Sequence, residues 1–328
     1  MKRRSSETGA ALLSVILMVA IMATVAVAMT DVALRSLQRA SVADERARVS
    51  WQITGAEQAG LAAINDLLVT SRTELSIDNP ALTTPITFAA GGGSITGRLS
   101  DATNCFNLNA LANLGEVDDD IEAQPAAVRA YSDLLLALQF SEFEVEALTD
   151  ALLDWLDADT TPRIAGAEDG YYLSQTPPYR TGGQPMVDVS ELRAVLGYEK
   201  EVLEVLLPQI CVRENSDVGV FNINTLQEVH APLIVMLLGG GATLQEAEDL
   251  LGRRPFGGWS SVESFMALDT VSRIAPELVR TELMGMAARY LSFRGAAKFG
   301  NVSADFETLY VIGEAETVQI SRRSRSAR

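Results

Sequence analysis

The sequence predicts an α+β fold: a long N-terminal helix plus a small antiparallel sheet, interrupted by a large inserted α-helical domain. Three observations predict it. From Ala10 to about Val69 there is no proline, and the only glycines are Gly55 and Gly60, so a single continuous helix is expected. Stretches of alternating apolar and polar residues lie on both sides of a long middle region, at 86–99 and again from about 289 onward. The middle itself is written in short helical periods separated by Gly, Pro and Asp/Asn. Strand residues flanking a helical stretch imply an insertion, because one small sheet can be built from both ends of it.

The elements follow in order. At 1.5 Å per residue, a helix of roughly 60 residues is a rod of about 90 Å. Its first third, Ala10 to Met29, is apolar and free of charge, which is enough to cross a bilayer. Beyond Met29 the residues Leu34, Leu37, Val49, Ile53, Ala56, Leu61, Ile64 and Leu68 mark one apolar face for packing on a globular head. A turn region from Pro80 to Pro85 and the triple glycine Gly91-Gly92-Gly93 bracket a hairpin of Ile86–Ala89 and Ser94–Leu99. Helices are then expected over 126–138, 142–156, 189–196, 200–207, 226–238, 244–251, 262–268 and 276–281, followed by strands over 289–299, 304–312 and 316–320. The resulting division is a leader at 1–9, the long helix at 10–70, sheet at 71–104 and 286–321, the inserted helical domain at 105–285, and a basic tail at 322–328.

The leader is informative. Met-Lys-Arg-Arg-Ser-Ser-Glu-Thr-Gly precedes the apolar run, so the small residue of a cleavage site comes before the hydrophobic segment, the reverse of a secretory signal. That order resembles the type IV pilin class. The resemblance implies cutting by prepilin peptidase between Gly9 and Ala10, with N-methylation of the new Ala10 amine. Read without the resemblance, the segment also fits a plain uncleaved anchor. In either case Lys2, Arg3 and Arg4 favour a single-pass protein with a cytoplasmic N-terminus.

An apolar content of 48% over 328 residues supports a packed globular body. The net charge is −17; removing the leader's +2 leaves −19, and setting aside Arg322, Arg323, Arg325 and Arg328 leaves −23 for residues 10–321. Such a body repels nucleic acid and suits cation sites or basic protein partners. Cys105 and Cys211 are the only cysteines. On the far side of the membrane a disulfide between them is permitted, the alternative being two buried thiols. Asp154, Asp157, Asp159, Glu168 and Asp169 crowd a short stretch through Pro162 and Gly166, which suits a calcium site or, equally, a solvated acidic loop. A single histidine, His230, and the absence of Gly-x-Ser-x-Gly or a phosphate loop leave catalysis without support. The stretch Phe221 to Leu268 has the outline of a helix-hairpin-helix, a DNA-backbone module. From Asn215 to Asp269 there are seven acidic residues against Arg253 and Arg254, so a packing or protein-binding hairpin is the better reading.

Six strings then occur in order: Cys105-Phe106-Asn107-Leu108-Asn109, Leu153-Asp154-Trp155-Leu156-Asp157-Ala158-Asp159, Gly166-Ala167-Glu168-Asp169-Gly170-Tyr171-Tyr172, Pro177-Pro178-Tyr179-Arg180, Ser190-Glu191-Leu192 and Phe221-Asn222-Ile223-Asn224-Thr225. Behind such a leader, this order resembles the minor pseudopilin K family of type II secretion. The resemblance implies a pilin-like fold with a large α insert and no enzymatic activity. It also implies an inner-membrane, single-pass protein with its bulk in the periplasm. Its place would be at the pseudopilus tip, supporting export across the outer membrane. The implied partners are minor pseudopilins I and J, the prepilin peptidase, the inner-membrane assembly platform and secreted substrates, with no nucleic acid. Calcium is implied at Asp157, Asp159, Glu168 and Asp169. Ser14 agrees with the resemblance, because most pilins carry Glu at the fifth mature position and a hydroxyl cannot neutralise a neighbouring amine in lipid. Other assignments that these residues admit are a membrane-anchored helix-hairpin-helix protein of DNA uptake and a type IV pilus minor pilin.

Overall fold

The computed structural model describes residues 5–90, 92–112, 114, 125–313 and 317–326. The first four residues of the leader, and Arg328, lie outside the described residues. Helix α1, Ser5–Ser71, runs unbroken for 67 residues. Its most apolar stretch has a mean hydropathy of 2.7 and is not covered by any other part of the chain, so it is long and apolar enough to cross a membrane. The expected apolar face divides in two. Val49, Ile53, Ala56, Ile64 and Leu67 are buried against the head, whereas Leu34 and Leu37 are exposed, because contact with the head starts only at Glu45, which accepts from the Asn301 amide.

After the one-turn helix α2 (Pro80–Thr83), whose first turn is capped by the Asn79 side chain, come strands β1 (Ile86–Ala90) and β2 (Gly93–Asp101). The chain then leaves the sheet and returns as β7 (Tyr290–Phe299), β8 (Val302–Ile312) and β9 (Thr317–Ser326). The order is β1-β2-β7-β8-β9, antiparallel throughout, so the insert joins two neighbouring strands, with Asp101 paired to Leu291. Strand β9 corrects one expectation: residues 322–326 are not a tail but pair with β8, Arg322 lying opposite Thr308 and Ser326 opposite Ala304. Backbone pairing along β8 overrides the local excess of charge. One face of the sheet packs on α1 through Ile95, Leu99, Phe293, Phe306 and Tyr310. Close approach is possible because residue 60 is glycine: a Cβ there would lie 2.9 Å from the Phe293 ring.

The insert has its own core, separate from that of the helix and sheet. It contains β3 (Phe106–Asn107), α3 (Ala126–Ala137), α4 (Glu142–Leu156), α5 (Asp169–Tyr172), α6 (Lys200–Leu206), β4 (Ile210–Cys211), β5 (Phe221–Asn222), α7 (Ala231–Leu237), α8 (Leu244–Gly252), α9 (Val262–Met266), α10 (Asp269–Ser272) and β6 (Met284–Gly285). Capping boxes start α4 at Ser141 and α8 at Thr243. Three expected helices differ. The 226–238 segment is α-helical only from Ala231, after a 3-10 turn at Glu228–His230, because Pro232 suits a first turn. Val189–Ala194 is 3-10 rather than α. No α-helix forms over 276–281. There the Arg280 amide instead donates to the Leu237 carbonyl and its guanidinium pairs with Asp133 at 2.6 Å, so tertiary bonds replace local ones.

Candidate functional site

Helix α4 delivers the acidic residues. Apolar positions such as Leu148, Leu152 and Leu156 hold it in the core of the insert, and its last turns are buried all round, Asp154 completely. The helix stops at Asp157, whose extended backbone starts a loop that comes back under α4. Arg163 closes that loop: its amide and guanidinium both donate to Asp154, the latter at 2.6 Å, and the same Nη1 reaches Asp157 Oδ2 at 2.8 Å. Gly166 follows where nothing larger fits, since a Cβ would stand 2.0 Å from Asp154 Oδ2. The return places Glu168 beside the start of the loop.

Carboxylate oxygens of Asp157, Asp159 and Glu168 lie within 4.8 Å of one another. Asp157 Oδ1 and both oxygens of Glu168 are buried without a hydrogen-bond partner. Burial, followed by the charges of Asp154, Asp157 and Asp159, pushes Glu168 up to about 7. Burial also raises Asp154, against the opposing pull of Arg163. Unpaired buried carboxylate oxygens are costly. Two such groups facing the exposed Asp159, whose Oδ1 also accepts from the Thr161 amide at 2.7 Å, make an all-oxygen donor set that suits a hard cation such as calcium rather than zinc. Asp169, expected among these ligands, is elsewhere: its oxygens accept from Arg180 at 2.5 Å and from the Thr181 amide at 3.1 Å. The sequence alone does not distinguish it from Glu168, since the two are adjacent. The turn expected through Pro162 and Gly166 is part of the arrangement, whereas nothing in the sequence marks Arg163 as the partner of Asp154 and Asp157.

Comparison with known proteins bears on the whole chain. The family profile described as "Type II secretion system (T2SS), protein K" matches residues 104–215 and 221–283. A type II secretion system protein K of Klebsiella pneumoniae is 34% identical over 87% of this chain and 87% of its own length. This chain belongs to the type II secretion system protein K family. The counterpart in Aeromonas hydrophila is 35% identical over 72% of each chain. The fold matches the crystal structure of the GspK-GspI-GspJ complex from the type 2 secretion system of enterotoxigenic Escherichia coli, with a TM-score of 0.76 at 24% identity, covering 88% of this chain and all of that one.

In this protein K family member, the two asparagine-rich motifs are structural clamps. Each opens one half of the insert with Phe-Asn-x-Asn, and each begins on a two-residue parallel strand pair, β3 with β4 and β5 with β6. In the first, Asn109 accepts from the Met186 amide at 2.8 Å and donates to the Met186 carbonyl at 2.9 Å. In the second, Asn224 does the same to Trp259, at 2.8 and 2.9 Å. Asn222 also reaches Asp101 on β2 and the Leu75 carbonyl, tying the insert to the sheet. The repetition of Phe-Asn-x-Asn at 106 and 221 is the signal from which this internal likeness can be read. Cys105 and Cys211 are bonded, with an S–S distance of 2.06 Å, alongside the first clamp.

The hairpin at 221–268 is interior packing. All of α7 is buried, Gly239 lies against the Leu278 carbonyl, and Arg254 is spent on the Leu226 carbonyl at 2.6 Å. Arg253 alone is exposed, beside Asp249, which is too little positive charge for a phosphate backbone. At the other end of the molecule, the Ser14 hydroxyl donates to the Ala10 carbonyl at 2.9 Å, the ordinary way for a helical serine to satisfy itself in an apolar setting.

Proposed function

We propose that this chain is the tip subunit of a periplasmic pseudopilus, held in the inner membrane by α1 before assembly and non-enzymatic. The observation that carries the reading is the position of the insert. A domain of two helical halves emerges between neighbouring strands β2 and β7 and adds a second core to the pilin-like helix and sheet. That bulk blocks the addition of a further subunit above it. In this reading prepilin peptidase cuts between Gly9 and Ala10 on the cytoplasmic side, Ala10 is N-methylated, and the head faces the periplasm. Ser14 in place of an acid leaves no counter-charge for the amine of a subunit stacked against it, which suits a subunit used once per filament. The solved relative is in complex with GspI and GspJ, and their counterparts are the expected neighbours here, with secreted substrates meeting the insert and the inner-membrane assembly platform meeting the base.

Calcium belongs to the same reading. Asp157, Asp159 and Glu168 would hold it, with loop carbonyls and water completing the shell, and it would supply the positive charge that the buried oxygens of Asp157 and Glu168 lack. The protein's own part is to bring the three carboxylates together, Arg163 holding one oxygen of Asp157 so that the other faces the cluster.

The test follows from the topology. Asp101 and Leu291 are paired neighbours, so residues 102–289 can be replaced by a short turn without disturbing the sheet. The expected result is retained contact with subunits I and J, together with altered pseudopilus length or impaired secretion. Normal length and secretion would remove the insert from the mechanism. Intact mass of the membrane-extracted chain, with and without prepilin peptidase, checks the processing step: a peptidase-dependent start at methylated Ala10 is expected, and retention of Met1 to Gly9 contradicts it.

A further inference from the structure

Where the insert meets the sheet, beside the Cys105–Cys211 disulfide, the chain encloses a cavity of about 360 Å³ that the acidic loop does not reach. Its charged lining is Arg213 and Arg289 against Asp217, one positive charge in excess. Val218, Leu283 and the Tyr290 ring give it an apolar wall. Arg213 is the unusual group. Its guanidinium lies over the Tyr290 ring, 4.3 Å from the centroid, and Nη2 donates to the Ala102 carbonyl at 2.7 Å. Nε is buried with no hydrogen-bond partner. Among the described residues no carboxylate pairs with it, and Glu307, whose charge bears on it from a distance, is bound to Arg294 at 2.7 Å. A half-buried guanidinium without a counter-charge is costly. The cavity is also held in shape. Asn107 Nδ2 donates to the Asn215 and Asp217 carbonyls at 2.7 and 3.0 Å, and its Oδ1 accepts from the Arg213 amide at 2.9 Å. The first clamp therefore fixes the loop that carries both Arg213 and Val218.

We propose that this cavity binds a carboxylate borne on an apolar or aromatic body, the carboxylate accepting from Arg213 and the body resting against Val218, Leu283 and Tyr290. Three observations select that chemistry. The first is charge: one positive charge in excess balances a monoanion, whereas a phosphate group carries about −2 near neutral pH and would stay half unbalanced. The second is the donor. A guanidinium is planar, weakly hydrated and suited to carboxylates, and stacking on Tyr290 fixes its plane before any ligand arrives. The third is the wall, whose apolar side chains exclude water from the ion pair and offer nothing to a second polar group. A volume of about 360 Å³ is at the small end of ligand cavities, enough for one aromatic or aliphatic residue and its carboxylate. Such a group has two sources, a free acid and the C-terminal residue of a peptide, and both present the same atoms to Arg213.

Isothermal titration of the full chain in detergent with N-acetylphenylalanine tests the proposal. Saturable binding with a Kd on the order of 0.1–1 mM is expected for a ligand of this size. N-acetylphenylalanine amide, which has the same body and no charge, should bind about tenfold more weakly or worse, and Arg213→Gln should lower the affinity for the acid by a similar factor. Arg289→Gln, at an exposed position, should cost about threefold. Location has its own readout. Cys105 and Cys211 are half-buried and line the cavity, so saturating acid should slow reduction of their disulfide by dithiothreitol severalfold, and the amide should not. If Arg213→Gln fails to give a folding transition, the acid–amide comparison and the reduction rates decide the matter on the wild-type chain. Equal or better binding of 3-phenylpropionate assigns the site to a free acid, and tighter binding of N-acetylphenylalanine assigns it to a peptide C-terminus. Equal affinity for acid and amide, no saturable heat below about 10 mM acid, tighter binding of inorganic phosphate, or an unchanged rate of reduction each overturns the proposal.

Discussion

At the scale of single residues, the acidic loop is held together by groups that have no alternative. Glu168 is raised to about 7 from 4.5, first by burial and then by the charges of Asp154, Asp157 and Asp159. The sign of the pH dependence follows. Between about 4.5 and 7 the folded chain binds more protons at this site than the unfolded chain. The metal-free protein therefore loses stability as pH rises through that window. A cation that needs the ionised carboxylate binds more tightly over the same range. Thermal unfolding in chelator, followed from pH 4.5 to 7.5, should show the melting temperature falling. Added calcium should reverse the fall, and Glu168→Gln should flatten both responses. Gly166 gives a second expectation. Because a Cβ would stand 2.0 Å from Asp154 Oδ2, Gly166→Ala must displace a buried, ion-paired carboxylate. A loss of about 3 kcal/mol or more in denaturant unfolding is expected, with weakened calcium binding. Gly170, with open space around it, is the matched control.

At the scale of elements, the stability of the insert depends on links between distant segments more than on its short helices. Each clamp asparagine satisfies both backbone groups of one buried residue, Met186 or Trp259. Asn224→Ala leaves a buried N–H and a buried C=O without partners, a cost of roughly 2–4 kcal/mol. Asn224→Asp keeps the acceptor and loses the donor, so chemical denaturation should rank it between wild type and alanine. The Cys105–Cys211 bond closes a loop with a sequence separation of 106. By chain entropy, removing a cross-link over such a loop costs about 4–5 kcal/mol. The double serine variant should unfold at markedly lower denaturant, and the loss should exceed that of either clamp variant. The hairpin reading belongs to this scale too. The sequence contained the helix-hairpin-helix outline and also the acidic balance against it, and the structure adds the reason, an α7 buried on all sides.

At the scale of the whole molecule, two cores are joined through Asp101, Asn104, Asn222 and Thr225, a polar seam in which Asp101 Oδ2 accepts from both Asn222 and Thr225. The insert is thereby placed on the end of the sheet where β2 and β7 adjoin, while α1 projects from the other core. A long anchor and a head with an added domain are the features a filament subunit at an end requires, and the excision of residues 102–289 tests that division of labour directly.

What the sequence determined by itself is what local periodicity and composition encode. The unbroken helix from Ala10, the span to Met29, the hairpin at 86–99, the return of strand after about 289 and the inserted character of the middle were all legible, because a 3.6-residue or two-residue repeat is a property of neighbouring residues. The order of six motifs also carried the family. Tertiary structure decided which groups meet. Glu168 joins Asp157 and Asp159 while its neighbour Asp169 turns to Arg180, a difference of backbone direction over one residue. Arg163 pairs with Asp154 and Asp157 only because Gly166 lets the loop return beneath α4. Strand β9 extends through the basic segment because β8 offers it a hydrogen-bonding edge, a partner that no local pattern of charge reveals. Contacts between segments far apart in the chain depend on how the cores dock, and docking is settled by burial summed over many residues rather than by any one of them.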